Sequence, residues 1–178
     1  MNAVEDIEIA ATEKFTFFWG EMPFSQWTPG WFTVDGIKYN CAEQYMMAEK
    51  ARLFNDRKSC NAIMKTTRPA EQKRLGRLVE GFNLEKWNSV ARDIVYKGNF
   101  AKFTQNQEMQ KVLLATVGTT LVEASPYDVV WGIGLTKSDS RCSNRSTWRG
   151  TNWLGQVLTR VRDDISGGCY SYSPFSIG

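Results

Sequence analysis

The 178-residue chain contains no histidine. That excludes Ser-His-Asp and Cys-His catalytic arrangements, imidazole general bases and the usual histidine-rich zinc sites. Any catalysis must come from Asp, Glu, Lys, Cys, Tyr or the backbone. Cysteine is sparse too: Cys41, Cys60, Cys142 and Cys169 are scattered, with no C-x-x-C pair and no metal-ligand spacing. In a chain of this size they read as reduced thiols rather than a disulfide framework. No apolar run approaches the roughly 18 to 20 residues of a membrane span. The first ten residues, MNAVEDIEIA, lack the basic start and apolar core of a targeting signal. A soluble intracellular protein, cytoplasmic or nuclear and with no membrane partner, is expected. Neither sign of charge dominates: 22 basic against 19 acidic side chains leave a formal net charge of +3, too little to announce nucleic-acid binding by itself.

Aromatic residues are plentiful, at 13% with seven tryptophans, and flat rings serve both core packing and base stacking. An apolar content of 42% in 20.3 kDa suffices for one domain with a real core. The expected organisation is an N-terminal arm over 1–13, a single domain over 14–166, and a mobile Gly/Ser/Tyr-rich tail over 167–178. KFTFFW at 14–19 reads as a strand in which Phe17 and Trp19 face one side and Phe18 the other. FTVDGIKYN at 32–40 reads as a hairpin turning at Asp35-Gly36. Helices are expected over 41–54, about 56–65, from Pro69 onward, 83–103 with Asn83 as N-cap, 107–117, and about 151–164. Short strands are expected over 119–123 and 129–133. The fold class is therefore α+β, a small, mostly antiparallel sheet packed with about five to seven helices.

Three constellations stand out. In YNCAEQYMMAEKARLF, 39–54, the apolar arc of the helix holds Ala42, Met46, Met47, Leu53 and Phe54, while Gln44, Glu49 and Arg52 fall on the far side. Glu43 and Lys50 lie inside the apolar arc. Seven residues span about 10.5 Å of helix, so the two side chains can approach a common point. Burial lowers a lysine's pKa and raises a glutamate's, which suits amine nucleophile and acid; a buried ion pair or a snorkelling lysine is the structural alternative. The second constellation, Asp128 followed by VVWGIGL, suggests close backbone approach to a ligand, or glycines that accommodate a packed tryptophan. In the third, STWRGTNWLGQVL at 146–158, a helix start at Thr151 beside Arg145 and Arg149 can hold an anion, or the arginines are solvated. Trp87, central in its helix stripe, reads first as core.

The order F-x-F-F-W-G, D-G-x-x-Y-x-x-A-E-Q-Y-M-M-A-E-K-A-x-L-F, W-G-I-G-L and W-R-G-x-N-x-L-G resembles the NADAR or YbiA-like superfamily, named for NAD and ADP-ribose. The resemblance runs from about residue 14 to 164 and extends to YKGNFAKFTQN at 96–106 and LVEASPYD at 121–128. It implies an N-glycoside hydrolase acting at C1 of a phosphorylated ribose. One branch is associated with phosphoribosylaminopyrimidines of the riboflavin pathway, another with removal of ADP-ribose from guanine in nucleic acid. The resemblance assigns Lys50 as Schiff-base nucleophile and Glu43 as proton donor and water activator. Direct hydrolysis stabilised by Glu43 or Asp128 is the mechanistic rival.

Substrate contacts carried over with it are Phe18, Trp19, Gly20, Trp87 and Trp131 as walls, Asn40 and Gln44 on ribose hydroxyls, and Gly132, Ile133, Gly134, Arg145, Arg149 and Asn152 around phosphate. The riboflavin branch carries aspartate at the third position of W-G-x-G, where this chain has Ile133. That departure points towards ADP-ribosylated guanine, with Asp139 as the one nearby acid that could substitute. Expected partners are an ADP-ribose or phosphoribosyl substrate and ADP-ribosylated single-stranded nucleic acid, since a linked base must leave the stack to be reached. No metal or cofactor is expected. A non-catalytic ADP-ribose or NAD binding module is the reading from a different class.

Overall fold

The computed structural model describes residues 13–20, 22–167 and Phe175. Residues 1–12 of the expected 1–13 arm and most of the expected 167–178 tail lie outside the described residues. Along the chain run β1 (Phe15–Phe18), β2 (Phe32–Val34), β3 (Ile37–Tyr39), α1 (Ala42–Leu53), α2 (Arg57–Lys65), α3 (Pro69–Arg77), α4 (Leu84–Gln105), α5 (Gln107–Leu114), β4 (Thr120–Glu123), two 3-10 turns (Ser140–Ser143 and Arg145–Thr147) and α6 (Trp153–Gly167).

The α+β class stands, with the strands in two separate pairs. Antiparallel β2–β3 turns where expected, and Asp35 and Gly36 both take positive φ, at 51° and 79°, as a primed hairpin turn requires. The other pair, β1–β4, is parallel, with Phe15 opposite Thr120 and Phe18 opposite Glu123. The connection between them carries five helices, and parallel neighbours need just such a long crossover. The expected single, mostly antiparallel sheet is thus divided. The expected strand over 129–133 is a chain of turns. Its backbone is engaged irregularly, Ile133 N donating to Glu123 O and Gly134 N to Asp128 O.

Helix α1 is wrapped by α2, α3, α4 and β3 and is buried almost all round. Ala42 through Ala48 and Ala51 are all buried, so Gln44 faces inward and not to solvent as its position on the wheel suggested. Two glycines allow the wrapping. A Cβ on Gly98 of α4 would meet the Tyr45 ring at 2.4 Å, and one on Gly76 of α3 would meet Met47 Sδ at 2.0 Å. Helix α4 starts on Asn83, whose Oδ1 accepts Lys86 N at 2.8 Å. The main core joins Tyr39, Tyr45, Ile63, Trp87, Phe103 and Leu158; a smaller apolar cluster holds Val122, Ile133, Leu135 and Cys142 against Phe15, Phe17 and Trp148. Phe175, in the segment expected to be a mobile tail, is partly buried. Its N–H donates to Asp93 Oδ1, and its ring lies beside Arg92 and Arg160. No described helix is long and apolar enough to cross a membrane.

Candidate active site

A cavity of about 1190 Å³ opens between α1, α3, the 18–29 segment and the loop after β4, somewhat larger than the usual small-ligand pocket. Glu43 and Lys50 both line it. Glu43, in the first turn of α1, is only 5% exposed. Burial, reinforced by the negative charge of Asp128, pushes its carboxyl up to about 7, while Lys73, the Trp27 side chain and Arg77 pull it down. Lys50, in the last turn, is half-buried. Its Nζ stands 4.2 Å from the centre of the Phe82 ring and 5.7 Å from that of Trp87. Burial and then the positive charge of Arg77 lower its pKa, and Glu43 opposes them. Desolvation dominates both groups, so each is biased towards its neutral form.

Phe18, Trp19, Gly20, Trp87, Asp128 and Trp131 also line the cavity. β1 ends at Phe18 and Gly20 takes φ +80°, so strand alternation lapses and Phe18 and Trp19 reach the same space. Trp19 is half-exposed at the rim, 6.2 Å from the Tyr127 ring. Trp131 stands edge-on to Trp153. Asp128 Oδ1 accepts the N–H groups of Val130 and Trp131 at 2.9 and 2.7 Å, so one oxygen shapes the loop while the residue borders the cavity.

The remaining expected contacts are not brought there. Gln44 Oε1 accepts Asn40 N at 2.8 Å and its Nε2 donates to Ile63 O and Thr66 O; Asn40 donates to Thr67 O and accepts from Gln72. The pair ties the α2–α3 connection to the start of α1 and does not line the cavity. Arg145 forks onto Glu13, whose carboxyl it holds down at about 2, and lies over Phe15 and Trp148. Ile133 is fully buried in the smaller cluster and does not line the cavity. Asp139 is engaged by Arg141.

The expected anion site at the start of α6 is filled by the protein itself. Thr151 N, Asn152 N, Trp153 N and Leu154 N donate to Val129 O, Gly132 O, Val130 O and Trp131 O, and Arg149 N donates to Ile133 O. Thr151 Oγ1 donates to Val130 O and so does not cap the helix. Asn152, at φ +54° and fully buried, offers Oδ1 to Glu123 N and Nδ2 to Leu121 O, both at 3.0 Å, as a further strand would. The glycines let these backbones meet. A Cβ on Gly150 would lie 2.3 Å from Gly132 O, on Gly132 2.9 Å from Glu123 O, and on Gly134 2.9 Å from Arg149 Cβ. Both glycine-rich motifs form a seam that locks the 128–134 loop to α6.

Three cavity residues, Glu123, Lys73 and Arg77, escaped the sequence reading, whereas Trp27 was expected as a pocket wall or a core residue. Glu123 ends β4, and its Oε2 is buried with no hydrogen-bond partner. Burial, then the charge of Asp128, raises its carboxyl to about 7 against the pull of Lys73. Its signal was only its place in LVEASPYD. Lys73 and Arg77 come from α3 and Trp27 from the loop after β1; the four-residue spacing of the two cations was the available clue. Lys102, fully buried, fixes that loop by donating to Pro23 O and Ser25 O at 2.8 Å each, and Gln26 O accepts Glu43 N. Among the described residues no cluster of three Cys, Asp or Glu is placed to hold a metal ion.

Residues 17–166 match the NADAR domain. An N-glycosidase of Acanthamoeba polyphaga mimivirus is 42% identical over 165 residues, covering 86% of this chain and 97% of that protein. Protein irg-1 of Caenorhabditis elegans is 43% identical over 131 residues, 72% of this chain; the match spans 62% of that protein's length. The solution structure of YbiA from E. coli superposes with a TM-score of 0.72 at 26% identity, over 94% of each chain; in sequence, the N-glycosidase YbiA of Escherichia coli strain K12 is 30% identical over 80% of this chain and 81% of its own.

Proposed function

The chain belongs to the NADAR family, and from that premise we propose that it is an N-glycoside hydrolase cleaving the C1–N bond of a phosphorylated ribose, with ADP-ribose on N-linked guanine as its substrate. The N-glycosidase names of its relatives support the reaction class. The observation that carries the mechanism is Lys50, an amine with depressed pKa in the same cavity as Glu43, a carboxyl that holds its proton near neutrality.

The ribosyl ring opens when its oxygen takes a proton, leaving an iminium between C1 and the base nitrogen. Lys50 Nζ, as free amine, adds to C1. A proton passes from the lysine nitrogen to the base nitrogen through the carboxyl pair, the C1–N bond to the base breaks, and Lys50 retains the sugar as a Schiff base. Water, losing a proton to a carboxylate, adds to C1. The C1–Nζ bond then breaks, returning the amine and an aldehyde that recloses on its ring oxygen. Glu43 and Glu123 are the proton carriers, since their pKa values lie near operating pH.

Cavity size and the exposed rings of Trp19, Trp27 and Tyr127 at its mouth favour a large substrate with a stackable base outside the ribose site. The position of Ile133 no longer bears on the choice. Incubation with an ADP-ribosylated guanine single strand, borohydride reduction and intact-mass measurement test the proposal. An adduct on the wild type and none on Lys50→Ala is expected. Release without an adduct replaces the covalent step with direct hydrolysis. Neither adduct nor release overturns the substrate, and turnover of a free phosphoribosylaminopyrimidine would then identify the smaller one. Unchanged ADP-ribose affinity in Lys50→Ala with no turnover of either substrate would mark a binding module.

A further inference from the structure

Helix α3 presents a stripe to the cavity. Pro69, Lys73 and Arg77, at four-residue intervals, all line it, which is the spacing of one helix face over about 12 Å. Gly76 sets the distance, because its missing Cβ is where Met47 of α1 packs, and Met47 lines the same cavity. The cations on this helix are treated differently. Arg74 forks onto Glu71, with 2.8 and 2.7 Å contacts. Lys73 and Arg77 make no hydrogen bond or ion pair with any described residue; Lys73 Nζ only stands 5.9 Å from the Trp27 ring.

Their charges act on the reaction centre, Lys73 on Glu43 and Glu123, and Arg77 on Glu43 and Lys50. Lys50 needs its amine for chemistry, which leaves two cations on one wall with no structural partner. Glu123, at the end of β4, and Asp128, in the loop after it, line the same cavity and repel an anion. A ligand with a negative end and a reacting end is therefore oriented, its negative end on α3.

Building on the glycosidase reading above, we propose that Lys73 and Arg77 form the subsite for the substrate's phosphoryl groups, the role that sequence reasoning gave to Arg145 and Arg149. Two cations one turn apart suit a diphosphate, whose charge is spread over two phosphoryl groups, and the arginine fork suits bidentate contact.

The test measures affinities of wild type, Lys73→Gln, Arg77→Gln and Arg74→Gln for ADP-ribose, ribose 5-phosphate and adenosine by calorimetry, with thermal melts to establish folding. We expect ADP-ribose to bind far more tightly than adenosine, each cavity-facing variant to lose about tenfold or more for ADP-ribose, the scale of a charge-assisted hydrogen bond, and Arg74→Gln to match the wild type. A ribose 5-phosphate affinity that falls in only one variant would show which cation takes the ribose-side phosphate. In turnover the same variants should raise KM, and kcat should shift with them, because Lys73 and Arg77 also act on Glu43, Glu123 and Lys50. Wild-type affinity in Lys73→Gln and Arg77→Gln, or adenosine binding as tightly as ADP-ribose, overturns the subsite. Turnover with unaltered KM sinks the subsite and leaves the glycosidase; variant-sensitive ADP-ribose binding in a protein that cleaves nothing sinks the glycosidase and leaves the subsite.

Discussion

On the α1–α3 wall, Lys50, Lys73 and Arg77 reach a cavity without a hydrogen bond or ion pair among the described residues. Along the seam between the 128–134 loop and α6, Asn152 and Thr151 and the first amides of the helix all have partners inside the protein. Both regions are rich in polar and glycine signals. Lys50 and Lys73 are half-buried and Arg77 is exposed, so the wall cations stay charged without an internal partner, and on the proposed reading a ligand supplies it. The paired groups on the seam mark where the structure completes itself. In the proposed function the wall acts on substrate, and the seam holds Glu123 and Asp128 at the cavity edge.

The largest effect that can break this contrast is Lys50→Ala, expected to lower turnover on the order of 10³-fold with the melting temperature nearly unchanged, measured by ADP-ribose release and calorimetry. Comparable loss of stability would make the lysine a scaffold residue. On the seam the pattern should reverse. Asn152→Ala unpairs Glu123 N and Leu121 O and should cost about 2 to 4 kcal/mol in denaturant unfolding, with any activity loss following the folded fraction.

The carboxyl pair gives a pH signature. Glu43 and Glu123 sit at about 7 in the folded protein, above the ordinary 4.5, so the folded state holds these protons more tightly than the unfolded chain. Their favourable contribution is complete below about 4.5 and is lost as pH rises to about 7. Glu123→Gln should therefore stabilise the protein at pH 8 by about 1 to 2 kcal/mol relative to its effect at pH 4, while slowing turnover. A pH-independent difference would show that the carboxyl is not buried as described. Smallest of all, Arg145→Ala should change kcat/KM less than about twofold and stability by at most about 1 kcal/mol, as for a largely exposed ion pair; a rise in KM like that of Arg77→Gln would return the phosphate to that loop.

Local rules reached the Asp35-Gly36 turn, the Asn83 cap, the Pro69 start and the inward Glu43/Lys50 pair, because each depends on residues a few positions apart. They could not reach the parallel β1–β4 pairing, whose partners lie more than a hundred residues apart. Nor could they reach Glu123, which becomes a buried acid only once β4 ends beside Asp128. Asn40, Gln44, Asn152 and Arg145 have the chemistry of ligand-binding residues, and Phe18, Trp19, Trp87 and Trp131 that of walls. Only placement separates them, since an amide already bonded to Ile63 O and Thr66 O is spent. Ile133 shows the same limit for an apolar residue, its motif position saying nothing of which side of the loop it faces.

The contact of Met47 with Gly76 has a consequence beyond packing. A thioether is the side chain most easily oxidised after cysteine, and the sulfoxide is bulkier, polar and chiral. Here the sulfur fills the place of the missing Cβ, with no slack on the side where α3 rests. An oxygen added to the Met47 sulfur would therefore push α3 from α1 and carry Lys73 and Arg77 away from Lys50.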